Sequence, residues 1–227
     1  ALSIHPLRAH HLPARRHQRC AGGMSQAAAT VLEESQAPMR FHDNRLGATV
    51  AKILPGAFYA TAEDIVLMTV LGSCVAVCLY DPQARIGGMN HFMLPEDRST
   101  GSVSASGRYG SHAMELLIND MLKAGAQRAR LTAKVFGGAA VLASLAGSRV
   151  GERNAEFVRA YLAAEKIPVL AADLEGLQPR KVLLYAAQGR VRVRHLAAVE
   201  AGSVAVQEKT YRARLSTEPV AGEVSLF

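Results

Sequence analysis

Short runs of apolar residues, rich in valine and small side chains, recur along the middle of the chain and predict a series of β-strands. Near the end of this region, Val191 and Val193 alternate with arginines, which is the pattern of a strand with one face in water. Strands are expected at residues 48–53, 64–70, 74–81, 86–94, 129–136, 167–172, 181–187 and 190–196.

Two stretches have the spacing of amphipathic helices. In the first, apolar residues recur every three or four positions between 114 and 122, and Gly125 stands where a helix C-cap belongs. In the second, Asn154 is expected to cap a helix whose apolar face lies within 157–162. A shorter helix is predicted at 139–147.

The connection between two of the strands predicts a hairpin. Segment 81–88 begins with Asp-Pro and ends with Gly-Gly, so that 74–80 and 86–94 are expected to pair as antiparallel neighbours. Other strands are separated by helices and require crossovers. The fold class predicted is therefore an α/β layered domain with a mixed sheet, or two packed sheets, and with helices outside.

The chain divides by composition into three parts. Residues 1–40 are expected to be a flexible basic leader, residues 41–202 the folded domain, and residues 203–227 a polar, peripheral C-terminal extension. Because Met24 follows the most basic stretch, the leader is also open to interpretation as an over-extended gene start. Within the domain, the Ser- and Gly-rich segment 95–107 is predicted to be a mobile loop that closes over a site.

The net charge of +7 for 227 residues does not indicate nucleic-acid binding. Residues 1–20 carry four arginines and no acidic residue, and without them 22 basic residues face 19 acidic ones. A nucleic-acid footprint would concentrate its charge on the folded part. No apolar run is long enough to span a bilayer, and the basic leader has no apolar region of a secretory signal.

The cysteine pattern excludes several kinds of site. Three cysteines do not form a disulfide framework, and Cys74 and Cys78 lack the second pair that a zinc site needs. Gly137-Gly138 is not followed by the Lys-Ser/Thr of a P-loop. We therefore expect reduced thiols, a cytoplasmic location, and neither a metal nor a cofactor.

Cys74 is the candidate nucleophile, because a Gly-Ser pair precedes it at the start of a strand. His91 is the candidate base, and the two would lie near the open end of the predicted hairpin, level with each other if the hairpin contained one bulge. Thr69 and Asn90 are candidates to orient His91. Backbone N–H groups from Gly72 to Cys74 are placed to stabilise an oxyanion.

The alternative for Cys74 is an inert core thiol, since most buried cysteines only pack. Cys78, in the middle of a strand among apolar residues, fits that description. His112 is expected at the surface near the start of a helix.

Six segments together resemble the CheD family of chemotaxis protein-glutamine deamidases. They are LGSCVAVCLYD, GGMNHFMLP, RYG-x-x-AMELLI, AKVFGGA, VGERN-x-x-FV-x-x-YL and GLQPRKV, in this order from about residue 45 to residue 196. The resemblance implies a hydrolase that converts chemoreceptor glutamines to glutamates and, in some members, hydrolyses glutamyl methyl esters. It also implies an α/β fold like that of toxin-type deamidases, with Cys74 as nucleophile, His91 as base and Thr69 as the third polar residue.

The resemblance further implies methyl-accepting chemoreceptors as substrates and a CheC-type phosphatase as a partner, with no membrane insertion. Two other interpretations are open on the residues alone. One is a non-catalytic module that binds receptors or a phosphatase; the other is a papain-like peptidase or transglutaminase, although its cysteine signature is missing. Release of ammonia without cleavage or cross-linking would separate the three.

Overall fold

The computed structural model describes residues 38–94, 105–141 and 149–217. Residues 1–37 of the predicted leader and residues 95–104 of the Ser/Gly-rich segment lie outside these ranges, whereas Met39 and Arg40, assigned to the leader from the sequence, belong to the first strand. Within these ranges ten strands form two sheets. The strands are β1 (Met39–Asp43), β2 (Ala48–Lys52), β3 (Phe58–Thr61), β4 (Val66–Leu71), β5 (Val75–Asp81), β6 (Ile86–Asn90), β7 (Thr132–Gly137), β8 (Val169–Leu174), β9 (Arg180–Tyr185) and β10 (Arg190–His195). The helices are α1 (Ala105–Lys123), α2 (Val150–Ala164) and α3 (Ala198–Thr217).

Both sheets have five strands and both are mixed. The first has the order β1-β2-β4-β9-β10 and the second β3-β6-β5-β7-β8. In the first sheet only β2 and β4 run parallel, and in the second only β7 and β8. The predicted fold class, an α/β layered domain with packed sheets, is confirmed.

Two apolar cores hold these layers together. Between the sheets, Leu67 and Leu71 of β4 belong to one cluster with Ala76 and Cys78 of β5. On the opposite face of the second sheet, residues such as Val77 pack against the apolar sides of α1 and α2. Alternate residues of β5 therefore face different cores, as the two-residue period of a strand requires.

The predicted hairpin is present, and its register is regular. β5 pairs with β6 from Asp81↔Ile86 to Cys78↔Met89, and an isolated bridge at Val75↔Phe92 continues the same register. The bulge expected between Cys74 and His91 is therefore not needed.

Helix α1 ends as its sequence predicts. The helix stops at Lys123, and Gly125 has a φ of +107°, a left-handed conformation that favours glycine. Helix α2, in contrast, begins at Val150, so the expected N-cap Asn154 lies inside the helix and is fully buried. The helix predicted at 139–147 falls mostly outside the described residues.

As far as residue 217, where the described part of the chain ends, the C-terminal segment is not peripheral. The predicted domain boundary at residue 202 lies within α3, and Val204, Glu208 and Tyr211 of this helix are buried. β1 and β3 were not predicted either, because both are short and lack a run of β-branched residues. Throughout the described ranges, no helix combines the length and the apolar character required to cross a membrane.

Candidate active site

Cys74 lies at the entrance to β5, on the face that points between the two sheets. Its side chain is completely buried and belongs to the inter-sheet cluster. The residue after it, Val75, exchanges two backbone hydrogen bonds with Phe92, at 2.9 and 3.0 Å. This bridge ties the loop that carries Cys74 to the segment that follows β6.

His91 lies on the same face as Cys74, one step along the partner segment. The register that pairs Val75 with Phe92 places Ala76 opposite His91, and Ala76 shares its face with Cys74. Such diagonal neighbours are separated by roughly 7–8 Å between backbones, and their side chains can approach more closely. The hairpin alone therefore brings the candidate nucleophile and base to one face.

Thr69 of β4, in the opposite sheet, fixes the tautomer of His91. The Thr69 hydroxyl donates its proton to the backbone oxygen of Ile53 at 2.9 Å, and the same oxygen lies 2.8 Å from His91 Nδ1. Because that hydroxyl has only one proton, Nδ1 must be the donor in the second contact. The neutral ring then carries its lone pair on Nε2.

Nε2 of His91 is available for proton transfer. It is buried and has no hydrogen-bond partner among the residues that the structure describes. Burial lowers the pKa of His91 to about 4, although the Glu208 carboxylate and the Ile53 carbonyl act in the opposite direction. The imidazole is thus neutral at physiological pH, which is the form that a general base requires.

The backbone around Cys74 forms an anion site. The N–H groups of Gly72 and Cys74 both donate to Oε1 of Glu208 at 2.9 Å. Ser73 donates to Oε2 through its N–H at 2.9 Å and through its hydroxyl at 2.8 Å. Three consecutive N–H groups that converge on one carboxylate have the geometry of an oxyanion hole.

A side chain at position 72 would collide with Glu208 and Val141 in this arrangement. A Cβ atom at Gly72 would lie 2.7 Å from Oε2 of Glu208 and 2.7 Å from a methyl group of Val141. The absence of a side chain allows an anion to approach the backbone closely.

Cys74 is a protonated thiol in this arrangement. Burial raises the pKa of the thiol well above its ordinary value, and the charge and hydrogen bond of Glu208 raise it further. The neutral thiol interacts with Glu208 in this arrangement, and it makes no hydrogen bond with Nε2 of His91.

Asn154 connects the loop that contains Ser73 to the segment that contains Leu94. Its Nδ2 donates to the backbone oxygen of Ser73 at 2.8 Å, and its Oδ1 accepts from the backbone N–H of Leu94 at 2.9 Å. One buried amide thereby holds the Cys74 loop and the segment after His91 at a fixed separation.

The remaining candidates lie elsewhere. Asn90 points to the opposite face of its strand, where it accepts from the N–H of Val77 at 2.9 Å and donates to Ala113 at 3.2 Å, so it does not orient His91. Cys78 is buried in the inter-sheet core, which raises its pKa.

A hollow of about 140 Å³ opens beside the site. Its lining includes His91, Tyr109 and the exposed His112. In the described ranges, no group of three or more His, Cys, Asp or Glu side chains is placed to hold a metal ion. The groups assembled at Cys74 can instead carry out nucleophilic attack, proton transfer and oxyanion stabilisation.

Sequence reasoning missed Glu208 and the position of Asn154. Glu208 is 134 residues from Cys74 along the chain and lies in a polar segment that has no motif. Asn154 does occur in VGERN, one of the segments that resemble the CheD family, but this motif gives no indication that Asn154 contacts Ser73.

A family model and named relatives both indicate one family. The family model described as CheD chemotactic sensory transduction matches residues 93–195. A protein of Dechloromonas aromatica named "Probable chemoreceptor glutamine deamidase CheD 1" is 51% identical over 195 residues, which are 86% of this chain and 97% of that protein. Among solved structures, the Bacillus licheniformis hypothetical protein YfiH is similar over 66% of this chain and 67% of the YfiH chain. The TM-score is 0.34 and the sequence identity 15%, which is a weak similarity.

Two further relatives show the same extent of similarity. "Probable chemoreceptor glutamine deamidase CheD" of Xanthomonas axonopodis pv. citri is 54% identical over 83% of this chain and 94% of its own length. "Probable chemoreceptor glutamine deamidase CheD 1" of Shewanella oneidensis is 50% identical over 84% of this chain and 93% of its own. Since the sequence identity is 50–54% over 93–97% of the length of these relatives, the chain belongs to the CheD family.

Proposed function

We propose that this protein is a chemoreceptor glutamine deamidase that acts in chemotaxis, with Cys74 as its nucleophile. The observation that carries the proposal is the convergence of three backbone N–H groups on a carboxylate beside the Cys74 thiol. A glutamate carboxylate is the product that such a reaction leaves. The names of relatives at 50–54% identity support the same substrate.

The reaction begins with attack on the substrate amide. The Cys74 proton moves to Nε2 of His91 as Sγ bonds to the side-chain carbonyl carbon, and the oxyanion is bound by the N–H groups of Gly72 and Cys74. When the tetrahedral intermediate collapses, the C–N bond breaks and His91 returns the proton to the leaving nitrogen, so ammonia departs. Cys74 then holds the substrate as a thioester.

Hydrolysis of the thioester completes the cycle. His91 takes a proton from water as the water oxygen attacks the same carbon, and the same N–H groups bind the second oxyanion. Cleavage of the C–S bond releases a glutamate and restores the thiol with the proton from His91. Thr69 keeps Nδ1 protonated throughout, which stabilises the imidazolium as it forms.

Three finer statements belong to the same proposal. Glutamyl methyl esters would be hydrolysed by the same route, with methanol in place of ammonia as the leaving group. The enzyme works in the cytoplasm. A CheC-type phosphatase is its protein partner.

The test is a peptide mass map of a co-expressed chemoreceptor. Wild-type protein is expected to convert specific glutamines to glutamates, and Cys74→Ala to leave them unchanged. Cys78→Ala is the matched control, because Cys78 is an equally buried cysteine of the same strand region that faces only the core. An unmodified receptor with all three proteins would overturn the proposal and favour a binding module.

A further inference from the structure

The anion site at Cys74 is occupied by a side chain of the protein itself. Glu208 lies in the second half of the C-terminal helix α3, and its carboxylate receives four hydrogen bonds from Gly72, Ser73 and Cys74, each at 2.8 or 2.9 Å. All four donors are uncharged N–H or O–H groups. Two of them, the N–H groups of Gly72 and Cys74, are the groups to which the mechanism above assigns the oxyanion.

Helix α3 is held in place by one of its faces. Val204, Glu208 and Tyr211 are buried and Leu215 is partly buried, and their spacing of four, three and four residues places them on one side of a helix. Tyr211 packs in the inter-sheet cluster beside the site, and its hydroxyl lies 2.7 Å from that of Tyr109 in α1. Glu208 is therefore presented to Cys74 by a helix docked on the mouth of the site.

A buried carboxylate is unfavourable in an ordinary packing position. Only 3% of Glu208 is exposed, and a buried charge is strongly disfavoured unless hydrogen bonds replace its lost water. The Gly72–Cys74 loop supplies that replacement because it is built to bind a developing oxyanion. The Glu208 carboxylate accepts hydrogen bonds from this loop in the way that the glutamate of a reaction product would.

We propose that α3 is an internal product mimic, in which Glu208 occupies the site as the product glutamate does, so that the helix must leave before a substrate helix can bind. The proposal rests on the function proposed above and adds a regulatory element to it. It also describes the substrate: a glutamine borne on a helix whose neighbouring apolar residues, one turn away on either side, dock as Val204 and Tyr211 do.

The docked helix lowers the activity of the resting enzyme. Cys74 and the oxyanion hole are both covered, so only the fraction of molecules with α3 displaced can bind a receptor. If that fraction is about one tenth, the apparent affinity for the receptor falls about tenfold. Anything that displaces α3 would raise activity without changing the catalytic groups.

The first test converts the product mimic into a substrate. In Glu208→Gln the carboxamide takes the position of the carboxylate, and Cys74 is expected to deamidate it within the same molecule. Intact mass and a peptide map should show amide-to-acid conversion at position 208, and none in Glu208→Gln combined with Cys74→Ala. Gln207, an exposed glutamine of the same helix, is the internal control and should remain an amide.

The second test measures receptor deamidation. Glu208→Ala is expected to raise kcat/KM for a chemoreceptor by about tenfold, because loss of the four hydrogen bonds frees the helix. Lys209→Ala, at an exposed position of the same helix, is the matched control and should behave as wild type.

The outcomes separate this proposal from the one on function. If wild type deamidates the receptor, while Glu208→Gln stays an amide and Glu208→Ala is no faster, the product mimic is refuted and the deamidase stands. A faster Glu208→Ala with an unconverted Glu208→Gln also overturns the product-like placement. If no variant modifies the receptor and Glu208→Gln is stable, the deamidase proposal fails and the product mimic fails with it.

Discussion

The hydroxyl of Thr69 should be required for fast catalysis because it decides which nitrogen of His91 carries the proton. Thr69→Val removes the hydroxyl at nearly constant volume, so that Nδ1–H loses the acceptor now 2.8 Å away. Ile53 O, which Thr69 also contacts at 2.9 Å, loses its donor. The ring is then no longer held in the tautomer that has its lone pair on Nε2.

The size of the effect follows from the burial of these groups. A buried polar group left without its partner costs about 1–3 kcal/mol, and Thr69 and His91 are 1% and 2% exposed. Applied to the balance between the tautomers, this range corresponds to a decrease of roughly 5- to 150-fold in the competent form. We expect kcat to fall within this range, and Tm to fall by a few degrees.

The assay compares kcat for receptor deamidation in wild type, Thr69→Val and Thr69→Ser. Serine restores the hydroxyl and should recover most of the activity, which a purely structural role in packing would not predict. Nitrogen NMR of His91 should show the Nδ1–H tautomer in wild type and Thr69→Ser and a mixture in Thr69→Val. Thr61→Val is the matched control, since it removes a buried hydroxyl whose hydrogen bonds within the described ranges are with Glu63. If kcat of Thr69→Val equals that of wild type, the role assigned to Thr69 is wrong.

Two further predictions concern the same site. Asn154→Ala should lower the free energy of unfolding by about 2–6 kcal/mol, because Ser73 O and Leu94 N both lose a buried partner, and should also lower kcat. Asn154→Asp keeps the acceptor for Leu94 but sets a carboxylate oxygen against the Ser73 carbonyl in a fully buried site, so at neutral pH it should lose at least as much stability in urea unfolding as Asn154→Ala; wild-type stability in either variant would contradict the two-sided clamp. Since burial lowers the pKa of His91 to about 4 in the folded protein, the stability that its neutral form provides is complete above about pH 6.5 and is lost as the pH falls toward 4. Urea titrations at several pH values in this window should show a loss of up to about 3 kcal/mol in the free energy of unfolding. In His91→Gln the free energy of unfolding should depend less on pH. If its pH dependence matches that of wild type, other groups cause the effect.

The hairpin shows how much local sequence can determine. A turn rich in Asp, Pro and Gly, flanked by two apolar runs, was sufficient to predict that 74–80 and 86–94 pair. Since side chains alternate along a strand, pairing through this turn also fixes which residues share a face. The turn between Cys74 and His91 was therefore enough to predict that these candidate catalytic residues lie close together, without knowledge of the second sheet.

The packing of the two sheets determined the rest of the site. Thr69 meets His91 only because β4 of one sheet lies over the segment after β6 of the other, and no local pattern encodes that contact. Asparagine is a residue type that often caps helices, so the sequence alone predicts a cap at Asn154. Its burial inside α2 depends on the elements that pack against that helix.

The sequence by itself determined the α/β class, the hairpin and the candidate pair Cys74 and His91, because strand period, turn chemistry and residue type act over a few neighbouring positions. Only the tertiary structure decided that Thr69 lies against Nδ1 of His91 and that the Glu208 carboxylate lies against the N–H groups of Gly72 and Cys74. These contacts join residues 22 and 134 to 136 positions apart, and they form where separately folded elements meet. A polar residue such as Glu208 has the same local sequence pattern whether it lies in water or against buried N–H groups, so its contact with the Cys74 loop is decided only when the helix docks.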